Sequence, residues 1–306
     1  MAEVTTIPPR GGADIMIEGL NKHIGIPEDV NVINSVCNES VIDADKKNLL
    51  WQHIPADQEV VAGMRDKYFT RMIDAYVYVS HWQHEKFRYI HQVPLNNAIV
   101  IKNAIEPIEF VEKPVGDKIK LIHTSVPYRG LEILLDTMEA LNRDDIELDV
   151  YSSTIIYGSD YAKFEGGKYE PILNRARKMK GVNLIGYTPN EEVRKALQEA
   201  HIFAYPCIFE ETACLSMIEA GAAGCKLVTT NIGGLPETGS EWATLVPIQA
   251  SREELVMSYA SVLNDTIDSC KTFKGDEKQS EFYNTNYSWD RRGPEWERLF
   301  NALATS

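Results

Sequence analysis

Two glutamates, Glu211 and Glu219, stand eight residues apart in the stretch HIFAYPCIFEETACLSMIEAGAAGCKLVTTNIGGLPETG, residues 201–239. The apolar run Ile202, Phe203, Ala204, Tyr205 reads as a buried strand, ended by Pro206 and Cys207. Leu215, Ile218 and Ala222 then repeat at helical spacing, and Gly224 stops the helix. Glu211 thus precedes the helix, and Glu219 lies two turns inside it. A free helix N-terminus offers unpaired N–H groups and positive potential, which suit a phosphate. Thr212, Ala213, Cys214 and Leu215 are small or apolar, so their backbone N–H groups are open to such an anion. A carboxylate ahead of that end can hold sugar hydroxyls, and one further along can hold a ribose diol. The spacing alone fits two solvated glutamates as well. The strand before, the small residues between and the Gly233-Gly234-Leu235-Pro236-Glu237 loop after the next strand favour a ligand corner.

Other residues could act beside this pair. Gly11 and Gly12 lie between a strand expected at 4–7 and a helix expected over Ala13 to Ile24. Strand, glycines, helix is the usual way to bring backbone close to a phosphate or sugar, though a plain tight turn reads the same. His53 ends a strand running from Asn48, and active-site residues of α/β sheets collect at strand ends; a surface loop histidine fits equally. His81 and His84, three apart on an expected helix with Ser80 as its N-cap, lack a third metal ligand. Asp43-Ala44-Asp45 fits an Asp-x-Asp pattern but lies in a polar stretch far from the glutamate pair.

The elements that must position these residues alternate. Strands are expected at Asn31 to Val36, Asn48 to Ile54, Ile73 to Val79 and Ala98 to Ile101, with a helix over 57–70. A Pro-, Glu- and Lys-rich linker spans 106–117. Beyond it, strands at Lys118 to His123, Ile146 to Tyr151, Val182 to Gly186, Lys226 to Thr230 and Thr244 to Val246 alternate with helices. The helices are expected at Leu131 to Leu141, 169–180, Glu191 to Ala200 and Arg252 to Asp268. Residues 153–168 read as a polar surface excursion. Such alternation means parallel sheets covered on both faces. The expected division is a reduced N-terminal domain over 1–110, to which a closing helix over 288–303 returns, and a second domain over 111–287.

The chain's 306 residues suffice for two domains, and 44% hydrophobic content supports real cores. With 31 Lys and Arg against 45 Asp and Glu, the formal net charge of -14 argues against general binding to nucleic acid. No apolar run approaches a membrane span, and the N-terminus lacks the apolar core of a signal peptide. Five scattered cysteines form no metal pattern, so free thiols in a reducing, cytoplasmic setting are expected.

Residues 201–239 resemble the donor-binding signature of retaining glycosyltransferases of the GT-B fold, the large family 4 group. The resemblance covers nearly the whole second half and, more thinly, 70–106, including the Ser80-His81-Trp82-Gln83 and Asn103-led segments; the first 60 residues match poorly. The resemblance implies two Rossmann-like doubly wound domains, the first one shortened. It implies a metal-independent hexosyltransferase that moves a sugar from a nucleoside diphosphate donor to an acceptor hydroxyl, with no cofactor. Glu211 would contact the donor sugar and Glu219 the ribose. Gly11 and Gly12 would lie near the donor phosphates, and His53 near acceptor and sugar. The family's basic pair for the diphosphate is half present: Arg129 precedes Gly130, but Ser125 stands in the neighbourhood of the other member. A guanidinium matches phosphate oxygens bidentately, which favours phosphate over an exposed-loop role for Arg129. The loop Gly186-Tyr187-Thr188-Pro189 would shape the base site. The acceptor would carry carbohydrate, and an oligomer or partner could complete the shortened acceptor side. A sugar-nucleotide or glycan binding module without catalysis is the alternative.

Overall fold

The structure is a computed structural model describing residues 11–155 and 159–305, so the strand expected at 4–7 lies outside the described residues. In chain order the elements are α1 (Gly12–His23), β1 (Val30–Asn34), β2 (Lys47–Gln52), α2 (Lys67–Arg71), β3 (Ala75–Tyr78), α3 (His81–His91) and β4 (Ala98–Val100). The second half runs β5 (Ile119–Thr124), α4 (Leu131–Leu141), β6 (Ile146–Tyr151), α5 (Ser159–Lys178), β7 (Val182–Leu184), α6 (Asn190–Glu199) and β8 (Ile202–Tyr205). It continues with α7 (Leu215–Ala222), β9 (Lys226–Thr230), α8 (Leu235–Gly239), β10 (Ala243–Val246), α9 (Arg252–Asp268), α10 (Glu277–Asn286) and α11 (Trp289–Ala304).

Two parallel sheets result. The first has the order β1-β2-β3-β4 and the second β10-β9-β8-β5-β6-β7. Because side chains alternate along a strand, each sheet feeds two cores. On β2, Leu49 and Trp51 join Val77, Met16 and Trp296, whereas Leu50 joins Tyr76, Tyr78 and Phe87 on the other face. In the second sheet, Leu121, Leu148 and Ala204 face α4, α5 and α9; Ile122, Phe203 and Leu227 face α6, α7 and α10. The order reverses between β5 and β8. That is the switch point outside whose carboxyl ends α/β sheets bind ligands.

The two halves share a core. Trp289, Trp296, Phe300 and Leu303 of α11 pack with the first sheet, and Ala213 and Leu215 from the start of α7 pack against the same cluster. A Cβ at Gly19 would fall 2.1 Å from the Trp289 ring, so only glycine lets α1 and α11 approach this closely. The stretch 106–117 is no free linker. Ile105 and Ile108 belong to the second half's core, and the Ile108 N–H donates to Asn284 Oδ1 at 2.8 Å.

Three further sequence expectations are corrected. Residues 57–70 form a 3₁₀ segment, Glu59–Arg65, and then α2, whose cap is Asp66. A Cβ at Gly63 would fall 1.8 Å from the Cys37 carbonyl oxygen, so the 3₁₀ segment meets that carbonyl only through a glycine. The polar stretch 153–168 is in part the start of α5, which begins at Ser159 and continues through Pro171. Ile172, Leu173 and Ala176 seat this helix on the core, and that packing overrides the breaker. Residues 233–236 lead into the one-turn helix α8 rather than a simple reversal. Helix α10 was not among the expected elements; it turns Tyr283 into the second half's core, and its Gln279, Ser280 and Asn284 side chains bond backbone carbonyls of residues 108 and 221–225. All five cysteines are free and buried.

Lys113 pins the interdomain stretch. Its ammonium is buried and donates to Leu197 O (2.8 Å), Gln198 O (3.1 Å) and Ala223 O (2.6 Å), the negative ends of α6 and α7. Burial holds its pKa below the usual lysine range. Lys113→Met keeps the apolar stem and strands the carbonyls, each at a cost of about 1–3 kcal/mol. Urea unfolding of this variant should show a loss of about 3 kcal/mol or more with an unchanged slope.

Candidate functional site

Strand β8 is wholly buried and delivers Tyr205 to the switch point. Beyond Pro206 the chain folds back, and the Glu211 carboxylate comes to rest 5% exposed. Its Oε1 accepts from Arg129 Nη1 at 2.9 Å and from the Tyr205 hydroxyl. The Tyr205 hydroxyl also meets Ser125 Oγ at 3.3 Å. The Arg129 guanidinium lies 4.6 Å over the Phe209 ring, with a quarter of its side chain exposed. Ser125, Arg129 and Glu211 therefore form one chain across the ends of β5 and β8. Arg129, expected at a phosphate, is here the ion-pair partner of Glu211.

Helix α7 starts at Leu215 with Cys214 as N-cap, and no side chain caps it. Its end is set by Gly224, in the left-handed region at φ 72. Glu219 is buried, and the Asn190 amide donates to both of its oxygens, at 3.1 and 3.2 Å. Burial raises the Glu219 pKa to about 7, against the lowering effect of the Asn190 bond and the Arg194 charge.

The backbone between the glutamates is clamped from both sides. Gly234 N–H donates to Glu211 O at 2.6 Å, and Gly233 has φ 59. A Cβ on Gly233 or Gly234 would meet residues 211 and 212 at 2.5 Å or less, so the glycine pair is a steric requirement. From the first half, Ser80 Oγ donates to Thr212 O (2.6 Å), and Thr212 Oγ1 donates to His53 O (2.9 Å). A Cβ at Gly12 would lie 3.7 Å from the Leu215 side chain, and Gly11 N–H is held by Asp14 Oδ2 at 3.0 Å.

The expected residues fall into three groups: Ser125, Arg129 and Glu211 meet through Tyr205; Thr212, Ala213 and Leu215 face the first half beside His53 and Gly12; and Glu219, like Cys214, is buried within the second half. Tyr187 is half-buried in the loop after β7 and bonds none of these side chains among the described residues. The His53 ring packs 4.6 Å from Trp51, and burial lowers its pKa to about 3, so the imidazole is neutral. Its Nε2 has no hydrogen-bond partner among the described residues. His81 pairs with Glu237 while His84 stacks on Tyr78, so the two rings serve different contacts. Asp43 caps its own turn, with Oδ1 accepting from Asp45 N–H, at the amino end of β2 and away from the seam. Asn190 and the Tyr205 hydroxyl were missed as contributors, whereas Ser80 and the Gly233–Gly234 pair were noted without their contacts to residues 211 and 212. Only the hydroxyl of Tyr205 at the end of an apolar strand offered a sequence signal.

Known proteins are similar to this chain in sequence and fold. The family described as Glycosyl transferases group 1 matches residues 108–280. A human protein, one of the subunits of phosphatidylinositol N-acetylglucosaminyltransferase, is 26% identical over 214 residues, 67% of this chain and 41% of that protein. The Arabidopsis thaliana protein of the same name is 25% identical over 171 residues, 54% of this chain and 36% of that protein. This chain therefore spans less than half the length of these curated relatives. Among solved structures, sucrose-phosphate synthase from Thermosynechococcus elongatus aligns with TM-score 0.62 and 18% identity over 85% of this chain and 69% of that one. A glycosyltransferase from Rickettsia africae aligns with TM-score 0.63 and 13% identity over 99% and 84%. The shared fold is GT-B, two Rossmann-like domains.

The buried Glu219 makes a stability prediction. The folded carboxyl keeps its proton up to about pH 7, whereas the unfolded one releases it near 4.5. The folded state binds the extra proton, so this stabilising contribution is present below 4.5 and lost as pH rises through 7. Glu219→Gln cannot titrate. Its stability relative to the native protein should rise by about 3 kcal/mol between pH 4 and pH 8, at about 1.4 kcal/mol per pH unit in that window. Denaturant titrations of both proteins at the two pH values check this; a constant difference would mean that Glu219 ionises normally.

Proposed function

The chain belongs to the glycosyl transferases group 1, and on that premise we propose that it moves a sugar from a nucleoside diphosphate donor to an acceptor hydroxyl with retention of anomeric configuration. The observation that carries the reading is the pair of buried carboxylates flanking the α7 N-terminus at the switch point, each held by a different partner. Glu219 accepts from the ribose diol, and Glu211 from the donor sugar. The α7 N-terminus and Arg129 stabilise the leaving diphosphate without a metal ion. The bond from the anomeric carbon to the phosphate oxygen breaks, and the acceptor oxygen bonds the same face. The acceptor proton passes to the departing phosphate oxygen. Neutral His53, with Nε2 free of partners among the described residues, accepts from or donates to a sugar hydroxyl at the other wall.

The names of the relatives point to N-acetylglucosamine as the first donor sugar to test and phosphatidylinositol as the first acceptor. The relatives are named as subunits, so a partner that completes the acceptor side belongs to the proposal. The setting proposed is cytoplasmic.

Sugar nucleotides should raise the melting temperature, and vesicles with phosphatidylinositol should yield a product whose anomeric configuration, read by NMR, matches the donor. Donor binding without turnover, alone and with partners, would favour the non-catalytic reading. Glu219→Ala should abolish most nucleotide affinity, whereas Glu211→Gln should lower turnover more than nucleotide affinity. Turnover should survive a chelator. Arg129→Ala should weaken nucleoside diphosphate about tenfold to a hundredfold and leave nucleoside unaffected. Equal loss for both ligands in calorimetry would make Arg129 a support of Glu211 only.

A further inference from the structure

Glu237 lies in the first turn of α8, directly after the Gly233–Gly234 clamp, yet its carboxylate serves the other half of the molecule. Oε2 accepts the backbone N–H of Trp82 at 3.1 Å. Oε1 meets His81 Nδ1 at 2.9 Å and Lys102 Nζ at 3.2 Å. Trp82 is the second residue of α3, so Glu237 satisfies one of the N–H groups that a helix start leaves open. An anion at this end also meets the positive pole of the helix. Burial alone would push the Glu237 carboxyl up, but the His81 and backbone bonds and the Lys102 charge outweigh it and hold the pKa below the usual range.

The same helix is gripped at two further points. Its own cap, Ser80, takes the Gln83 N–H at 3.1 Å and donates to Thr212 O. Lys86, one turn on, reaches Glu210 Oε1 at 3.1 Å. All three contacts land on the segments that flank Glu211: residue 210, residue 212 and the loop that clamps them. An exposed ion pair contributes little. This carboxylate is only 21% exposed and engages a helix end, a histidine and a lysine together.

We propose that Glu237 is a positioning residue for sugar transfer: by capping α3 across the domain interface it sets the register between the His53 wall and the Glu211 corner. The inference rests on the transferase reading above, and its test separates the two. Glu237→Ala and Glu237→Gln are compared with the native chain by amide exchange, nucleoside diphosphate calorimetry and turnover. Amides in the first turn of α3 should exchange faster in Glu237→Ala. Its kcat should fall about tenfold to a hundredfold, the loss expected for charge-assisted bonds. The dissociation constant of the nucleoside diphosphate should stay within about twofold, since Glu237 touches no nucleotide-side residue. Glu237→Gln keeps an acceptor for Trp82 N–H and should fall between the two, which keeps the test open if the alanine variant folds poorly. Faster exchange with unchanged kcat overturns the proposal, as does parallel loss of kcat and nucleotide affinity, which is the mark of a purely structural role. If the native chain binds no nucleoside diphosphate, the transferase reading fails; unchanged α3 protection in the variants then overturns the clamp independently.

Discussion

A carboxylate buried at the junction of three segments governs this structure. Taking the Glu211 charge out of water is costly unless a cation and hydrogen-bond donors meet it. Arg129 and Tyr205 do so, and both come from the carboxyl edge of the second sheet, one after β5 and one at the end of β8. These strands are neighbours, and the sheet order reverses between them. The ion pair therefore cannot form unless the switch point is correctly assembled, and once formed it closes the loop over the crevice. Arg129 is itself supported by the face of Phe209, which belongs to the same loop. The corner is thus self-consistent: each group that stabilises the charge is held by the segment the charge orders.

The second glutamate is held by a different logic. Glu219 sits within a short helix whose residues from Met217 to Ala222 are all buried, and its hydrogen-bond partner is a neutral amide rather than a cation. An amide offsets burial only in part, which is why the carboxyl stays near the protonation threshold at neutral pH. Two glutamates of one sequence signature thus have different electrostatic surroundings, one ion-paired and one poised. A diol that donates two hydrogen bonds favours the ionised form of the poised carboxylate.

The halves are tied by backbone and core as much as by charge. Helix α11 returns to the first sheet and puts two tryptophans into its core, while Thr212 is bonded by residues of the first half at both its hydroxyl and its carbonyl. Lys113 then anchors the interdomain stretch on two helix ends. The family match covers 108–280, within the second half, whereas the first half contributes four parallel strands among the described residues.

Local periodicity carried much of this into the sequence. Strands such as Ile146–Tyr151, Ile202–Tyr205 and Lys226–Thr230, and the helix Arg252–Asp268, are bounded as their apolar patterns indicate. The glutamate pair, the small residues between them and the glycines after the next strand marked the strand-to-helix corner, because a strand, a tight turn and a helix start are all short-range features. Who meets those glutamates was decided by tertiary structure alone. Arg129 and Glu211 are 82 residues apart, Asn190 and Glu219 29, Ser80 and Thr212 132, and Trp82 and Glu237 155. No periodicity reports contacts at such separations. Packing likewise carried α5 across Pro171, and in α10 side-chain bonds to distant carbonyls act beside the buried Tyr283 ring. The chain's own pattern determined its elements and the residues able to do chemistry. The fold determined their charge states and partners, because burial and opposite charge act through space rather than along the chain.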